Sequence, residues 1–130
     1  LDGDGDPEVI VLNELGDSVT VWENVDGVLS NRVDYATSKR PAALALGDID
    51  GDGDLDIGIG SADMYLETTS LLYNDGAGRF AEAISFRMGF SNVLFADLDE
   101  DGREELIAGT NGNGSAVVVT DDLVQYLQNR

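Results

Sequence analysis

The chain has 130 residues, 42% of them hydrophobic, with 26 acidic against 7 basic side chains and a formal charge of −19. That size and apolar content predict one compact unit with a buried core, not a disordered acidic tail, while the charge excludes nucleic acid and anionic membrane surfaces as partners and favours cations or basic partners. There is no cysteine and no histidine, which excludes disulfides, zinc-thiolate sites and the commonest general base, and no apolar run reaches the roughly 20 residues that span a bilayer.

The opening LDGDGDPE lacks an initiator Met and reads as the start of a mature or trimmed piece of something longer. Short, β-branched, often alternating runs follow, the pattern of strands. EVIVLNE (8–14) and SVTVWEN (18–24) are joined by Leu15-Gly16-Asp17, a hairpin connection. YATS (35–38) is a weaker strand, and AALALGDI (42–49) leads into a dense acidic loop. LDIGIGS (55–61), SLLYN (70–74) and EAISF (82–86) come next, and NVLFADL (92–98) leads into a second acidic loop. ELIAGT (105–110) and SAVVVT (115–120) close the series. DDLVQYLQ (121–128) fits a short amphipathic helix capped by Asp121 or Asp122, and equally a last edge strand.

The acidic loops are one repeat. GDIDGDGDLDIGIGS (47–61), DLDEDGREELIAG (97–109) and the opening LDGDGDPEVIVL align as D-x-D-x-D-G-x-x-[D/E] followed by an apolar run. The acids are Asp48, Asp50, Asp52 and Asp56 in the middle copy, with Gly53 sixth. In the third they are Asp97, Asp99, Asp101 and Glu105, with Gly102 sixth; in the first, Asp2, Asp4 and Glu8, with Gly5 sixth and the leading acid absent. Glu8, Asp56 and Glu105 recur at intervals of 48 and 49 residues. A second marker lies between them: SVTVWENVDGVL (18–29) and TSLLYNDGAGRF (69–80) each end an apolar run in Asn and Asp-Gly, and SAVVVTDDLV (115–124) occupies the same offset without the Gly.

About four short strands per repeat of roughly 50 residues is the signature of β-propeller blades. The expected fold is all-β: a β-propeller of four-stranded antiparallel blades, about 2.5–3 of them here, in one segment over residues 1–130. The approximate repeats are 1–41 (partial blade), 42–90 (complete blade) and 91–130 (partial blade), with each acidic loop joining a blade's first strand to its second. A closed ring needs at least about four blades, so the rest come from a longer chain or from other copies.

Calcium takes 6–8 oxygen ligands, and acids at alternate places in a tight loop turn several carboxylates toward one centre. Glycine at the sixth place permits the sharp turn. The seventh residue (Asp54, Arg103 or Asp6) then presents its carbonyl; a cationic side chain at Arg103 fits a backbone role. The ninth acid closes the shell, and the apolar second residue (Ile49, Leu98, Leu1) points away and pins the loop to the core. An EF-hand does not fit, because its twelfth place would be Ile59 or Ala108 and the flanks are strands.

DIDGDGDLDIGIG, DLDEDGREELIAG and LLYNDGAGRF resemble the FG-GAP/VCBS repeats, the blades of integrin-alpha-type β-propellers, over nearly the whole chain. The resemblance implies a typically seven-bladed ring in which the loops bind calcium. It implies as ligands Asp48, Asp50, Asp52, the carbonyl of Asp54, and Asp56. In the third loop these are Asp97, Asp99, Asp101, the carbonyl of Arg103, and Glu105; in the first, Asp2, Asp4, the carbonyl of Asp6, and Glu8. Two full calcium sites and a third, partial one are therefore expected. Two features depart from the family pattern: the missing first acid, and Glu instead of Asp at the ninth place of two loops.

The bland readings stand beside these. An acidic loop is also a solvated turn. Trp22 and Tyr73 read as blade packing more simply than as a sugar-stacking platform. Asn74-Asp75-Gly76 and TNGNGS (110–115) read as turns, and Arg32, Lys39 and Arg40 as surface charge. The expected function is non-catalytic: a calcium-stabilised extracellular or cell-surface scaffold for adhesion or recognition of a protein or glycan, without membrane insertion. Lectin-like carbohydrate binding is the alternative, and the propeller part of a secreted enzyme is a third reading.

Overall fold

The computed structural model describes residues 1–63, 68–81, 83–87, 92–109, 116–119 and 124–127. Among them eleven strands form three antiparallel sheets, with one turn of 3-10 helix at Glu14–Gly16. Sheet 1 is the meander β1 (Val9–Asn13), β2 (Ser18–Val25) and β3 (Val28–Ala36). Sheet 2 is β4 (Pro41–Gly47), β5 (Asp56–Ser61), β6 (Thr68–Leu72) and β7 (Ile84–Arg87). Sheet 3 is β8 (Asn92–Ala96), β9 (Glu105–Gly109), β10 (Ala116–Val119) and β11 (Val124–Leu127). The fold class is the expected one: all-β, three small blade-like sheets that do not close a ring.

Short turns set these meanders. Asp26 and Gly27 both take positive φ between β2 and β3, as a tight hairpin turn requires. Asp17 enters the left-handed region between β1 and β2. One expectation changes here and one open alternative is settled. The weak strand at 35–38 is the end of β3, nine residues long, which pairs with β2 from Ser18↔Ala36 to Val25↔Val28. Its polar run is exposed and so lacks the apolar alternation that marks a strand. Of DDLVQYLQ, Val124–Leu127 is an edge strand on β10, so sheet 3 has four strands. TNGNGS lies outside the described residues.

The sheets stack face to face through two apolar layers. Val19 and Val21 of sheet 1 meet Ile57, Ile59 and Leu72 of sheet 2, closed by Phe80, whose ring sits edge-on to Tyr35 with centroids 5.4 Å apart. Ile49 and Leu71 meet Leu106, Ala108 and Val119 of sheet 3, with Tyr73, Val93 and Phe95 alongside. Sheet 2 is thus covered on both faces, and every residue of β5 is buried. Its glycines allow the approach: a Cβ on Gly47 would meet Phe95 Cγ at 2.3 Å, and one on Gly58 would meet Leu106 Cδ1 at 2.5 Å. Tyr73 therefore packs between sheets. Trp22 lies on the outer face of sheet 1 with the Arg32 guanidinium 5.8 Å from its ring centroid. The basic cluster is paired: Arg32 with Asp34, Lys39 with Asp17, and Arg40 with Glu14.

Candidate metal centres

Each acidic loop caps a sheet where the following strand begins: the first before β1, the middle between β4 and β5, the third between β8 and β9. One pattern of hydrogen bonds builds all three. Alternate carboxylates accept the amide two residues ahead: Asp4 N–H to Asp2 Oδ1 (3.1 Å) and Asp6 N–H to Asp4 Oδ1 (2.8 Å) in the first loop. Asp52 N–H to Asp50 Oδ1 (3.2 Å) and Asp54 N–H to Asp52 Oδ1 (2.9 Å) repeat it in the middle loop. Asp101 N–H to Asp99 Oδ1 (3.2 Å) and Arg103 N–H to Asp101 Oδ1 (2.9 Å) repeat it in the third. Gly5, Gly53 and Gly102 have φ of +96°, +94° and +94°, the left-handed turn that glycine adopts without strain.

The leading acid braces the loop from within. Asp48 Oδ1 accepts Gly51 N–H (2.7 Å) and Asp48 Oδ2 accepts Gly53 N–H (2.9 Å); Asp97 Oδ2 likewise accepts Gly102 N–H (3.0 Å). The ninth acid ties the loop's start to its end. Asp56 Oδ2 accepts Ile49 N–H (3.1 Å), Glu105 Oε2 accepts Leu98 N–H (2.8 Å), and the Leu1 nitrogen donates to Glu8 Oε2. Asp56 is 1% exposed, and its second oxygen accepts Asn74 N–H (2.8 Å). Burial is the main reason its pKa rises from 3.8 to about 6, against the opposing pull of these two amides. Burial also raises the pKa of Asp50.

These bonds leave carboxylate oxygens converging. Asp2, Asp4 and Glu8 bring one oxygen each to within 4.8 Å of one another, as do Asp48, Asp50 and Asp56, and Asp97, Asp99 and Asp101. Asp52 and Glu105 stay outside these groups: Asp52 is exposed, and Glu105 is buried with its carboxylate turned back to Leu98 N–H. The seventh side chains also lie elsewhere, against neighbouring turns. Asp6 Oδ2 accepts Asp26 N–H (2.8 Å), Asp54 lies over Gly76, and Arg103 lies across Gly51 of the middle loop. Of the second-position residues, Ile49 is in the core and Leu1 packs against the sheet 1–sheet 2 layer. Leu98 does not pin its loop: it is 55% exposed, because no sheet among the described residues faces it.

The marker Asn residues have a function the sequence left as a turn. Asn24 donates its amide to Pro7 O (2.9 Å), and Asn74 donates to Leu55 O (3.2 Å). Pro7 and Leu55 are the eighth residues of their loops, so each Asn anchors the loop of its own sheet. Asn74 also reaches Leu1 O (2.9 Å), joining the first loop to the second. The middle loop is held from the other side as well: Glu104 Oε2 accepts Asp48 N–H (3.0 Å) and Glu104 N–H donates to Asp48 O (2.9 Å). The recurrence of Asn at one offset was the available signal.

The donor set fits a hard divalent cation. It is all oxygen, anionic, and grouped at loop bends. At the first loop two acceptors are buried without a hydrogen-bond partner, Glu8 Oε1 and Oδ1 of Asn24 from β2, which is costly unless a cation or water meets them. A cleft of about 320 Å³ opens beside that loop, lined by Asp2, Glu8, Glu23, Asn31, Tyr35 and Arg79 among others. Residues 1–59, which span the first two acidic loops and most of β5, match the family model described as FG-GAP-like repeat. No curated protein and no solved structure matches the chain.

Proposed function

We propose that this chain, which carries an FG-GAP-like repeat over residues 1–59, is a non-catalytic propeller repeat module whose acidic loops hold calcium as a structural ion, in an extracellular scaffold for recognition. The observation that carries this reading is the threefold recurrence of one loop architecture with converging carboxylate oxygens. The side chains to hold the ion are Asp48, Asp50 and Asp56 in the middle loop, Asp97, Asp99 and Asp101 in the third, and Asp2, Asp4 and Glu8 in the first, with Asp52 and Glu105 beside them. The carbonyls of Asp6, Asp54 and Arg103 suit the remaining positions, since their side chains are engaged elsewhere. Calcium when bound supplies positive charge that offsets carboxylate repulsion and ties the loop's two strands.

The magnitude is testable. Extracellular modules bind calcium at about 10⁻⁴–10⁻³ M, and a ligand at a hundredfold excess over Kd stabilises the fold by about 2.7 kcal/mol per site. Calorimetric titration should detect more than one calcium per chain, and chelator should lower the melting temperature by many degrees. An unchanged melt in chelator would overturn the proposal. A second reading, carbohydrate binding, is favoured by the polar cleft between sheets 1 and 2. A glycan array probed with calcium-loaded protein tests it, and no hits would count against it.

A further inference from the structure

We propose that Arg103 is a tethered counter-ion of the middle loop: delivered from the third loop, its guanidinium offsets the carboxylates of Asp48, Asp50 and Asp52 when no metal is bound, and weakens calcium binding there. The effect on calcium rests on the calcium reading; the effect on the metal-free fold does not. A Cβ on Gly51 would stand 3.0 Å from Arg103 Cγ, 3.1 Å from its Nε and 3.3 Å from its Cδ. Gly51 lies between Asp50 and Asp52, and its N–H donates to Asp48 Oδ1 at 2.7 Å. The charged end of Arg103 therefore begins at the bend around which these acids are grouped.

The next residue anchors it. Glu104 N–H donates to Asp48 O (2.9 Å), and Glu104 Oε2 accepts Asp48 N–H (3.0 Å). These two bonds set the backbone of the third loop against the middle loop, beside the layer where Ile49 meets Leu106. The other two loops do not do this. Asp6 and Asp54 hold the same seventh place, and both stay with a turn of their own sheet: Asp6 Oδ2 accepts Asp26 N–H (2.8 Å), and Asp54 lies over Gly76. Arg103 leaves its own sheet and crosses to the neighbour. Over Gly3, the counterpart of Gly51 in the first loop, a Cβ would meet nothing within 4 Å. The residue that crosses is the cationic one, and the loop beneath it carries Asp48, Asp50, Asp52, Asp54 and Asp56. Arg32, Lys39 and Arg40 are paired with acids elsewhere.

One charge then acts with opposite signs in the two states. It stabilises the empty loop by offsetting carboxylate repulsion, and it repels an arriving divalent ion. A unit charge acting on a divalent ion across about 8 Å of water changes its affinity about fivefold. The middle loop should release calcium more readily than its own ligands alone would dictate.

The test compares the whole chain with Arg103→Gln and Arg103→Lys at an ionic strength of about 10 mM, where screening is weak. Arg103→Gln should melt at a lower temperature in chelator, yet calorimetric titration should show calcium bound about fivefold more tightly. Arg103→Lys should follow the parent in both. The gain in affinity should vanish in an Asp50→Ala background, which disables the middle loop, and shrink at about 0.5 M salt. A packing role alone would lower the melt without tightening calcium. Three results would each overturn the proposal: calcium affinity no higher in Arg103→Gln, a gain that survives Asp50→Ala, or a chelator melt in which Lys behaves like Gln. If the parent binds no calcium, the calcium reading fails by itself, and the chelator melts of the two variants still decide whether the charge supports the empty loop.

Discussion

Asp56→Asn separates two roles of one carboxylate. The Asp56 carboxyl is 1% exposed and accepts the amides of Ile49 and Asn74, one on each oxygen. Its folded pKa near 6 lies above the unfolded 3.8. At about 1.36 kcal/mol per pKa unit, keeping it ionised costs the metal-free fold about 3 kcal/mol above pH 7. The sign follows from the protons: between these two values the folded state binds more, so metal-free stability falls as pH rises through the window and returns as pH falls. About 1.4 kcal/mol of it should return between pH 7.5 and pH 5. Asparagine removes the charge but leaves one of the two amides facing an NH2, at about 1–3 kcal/mol. In chelator at pH 7.5 the variant should therefore be nearly as stable as the parent, and in calcium much less stable. Urea unfolding at both pH values, with chelator and with calcium, measures all four states. Parallel pH curves for parent and variant in chelator would refute the assignment of the buried charge to Asp56.

Asn74→Ala removes the bonds to Leu55 O and Leu1 O at a buried position and should cost about 2–3 kcal/mol, seen as a melting temperature lower by roughly 10 °C. Glu100 sits at φ +62°, where the first and middle loops have Gly3 and Gly51 at +77°; Glu100→Gly should stabilise by about 0.5–1 kcal/mol, measured by chemical unfolding. Asp50→Ala should weaken calcium binding at the middle loop at least about tenfold, whereas Asp54→Asn should change it by less than about threefold; equal losses by calorimetry would contradict the division between side-chain and backbone ligands.

The acidic spine was legible because the pattern that builds it is local: spacing, glycine and apolar flank all lie within about twelve residues. Strands with a buried face were legible for the same reason, as in β2 and β5. β3 was not, because its edge position leaves Asn31, Arg32 and Asp34 exposed and removes the alternation. The edge strand Val124–Leu127 depends on pairing with β10, a long-range choice that local propensity left open. Leu98 was misjudged because whether a sheet faces it is not a local property. Glu105 makes the same bond to its loop's second residue that Asp56 makes, yet stays outside the group formed by Asp97, Asp99 and Asp101, whereas Glu8 joins its group, a difference the side-chain length alone does not explain.

The bonds from Asn74 to Leu1 O and from Glu104 to Asp48 cross from one sheet's loop to the next. They chain the three loops into a row along one rim, so that ordering one loop fixes backbone atoms of its neighbour. In such a row the entropy of stiffening a second loop is partly met when the first is filled. The module should then answer to falling calcium as a threshold device, losing its ions together over a narrow range. A binding isotherm with a Hill coefficient of one in the parent, unaltered by Glu104→Ala, would mean that the loops fill independently.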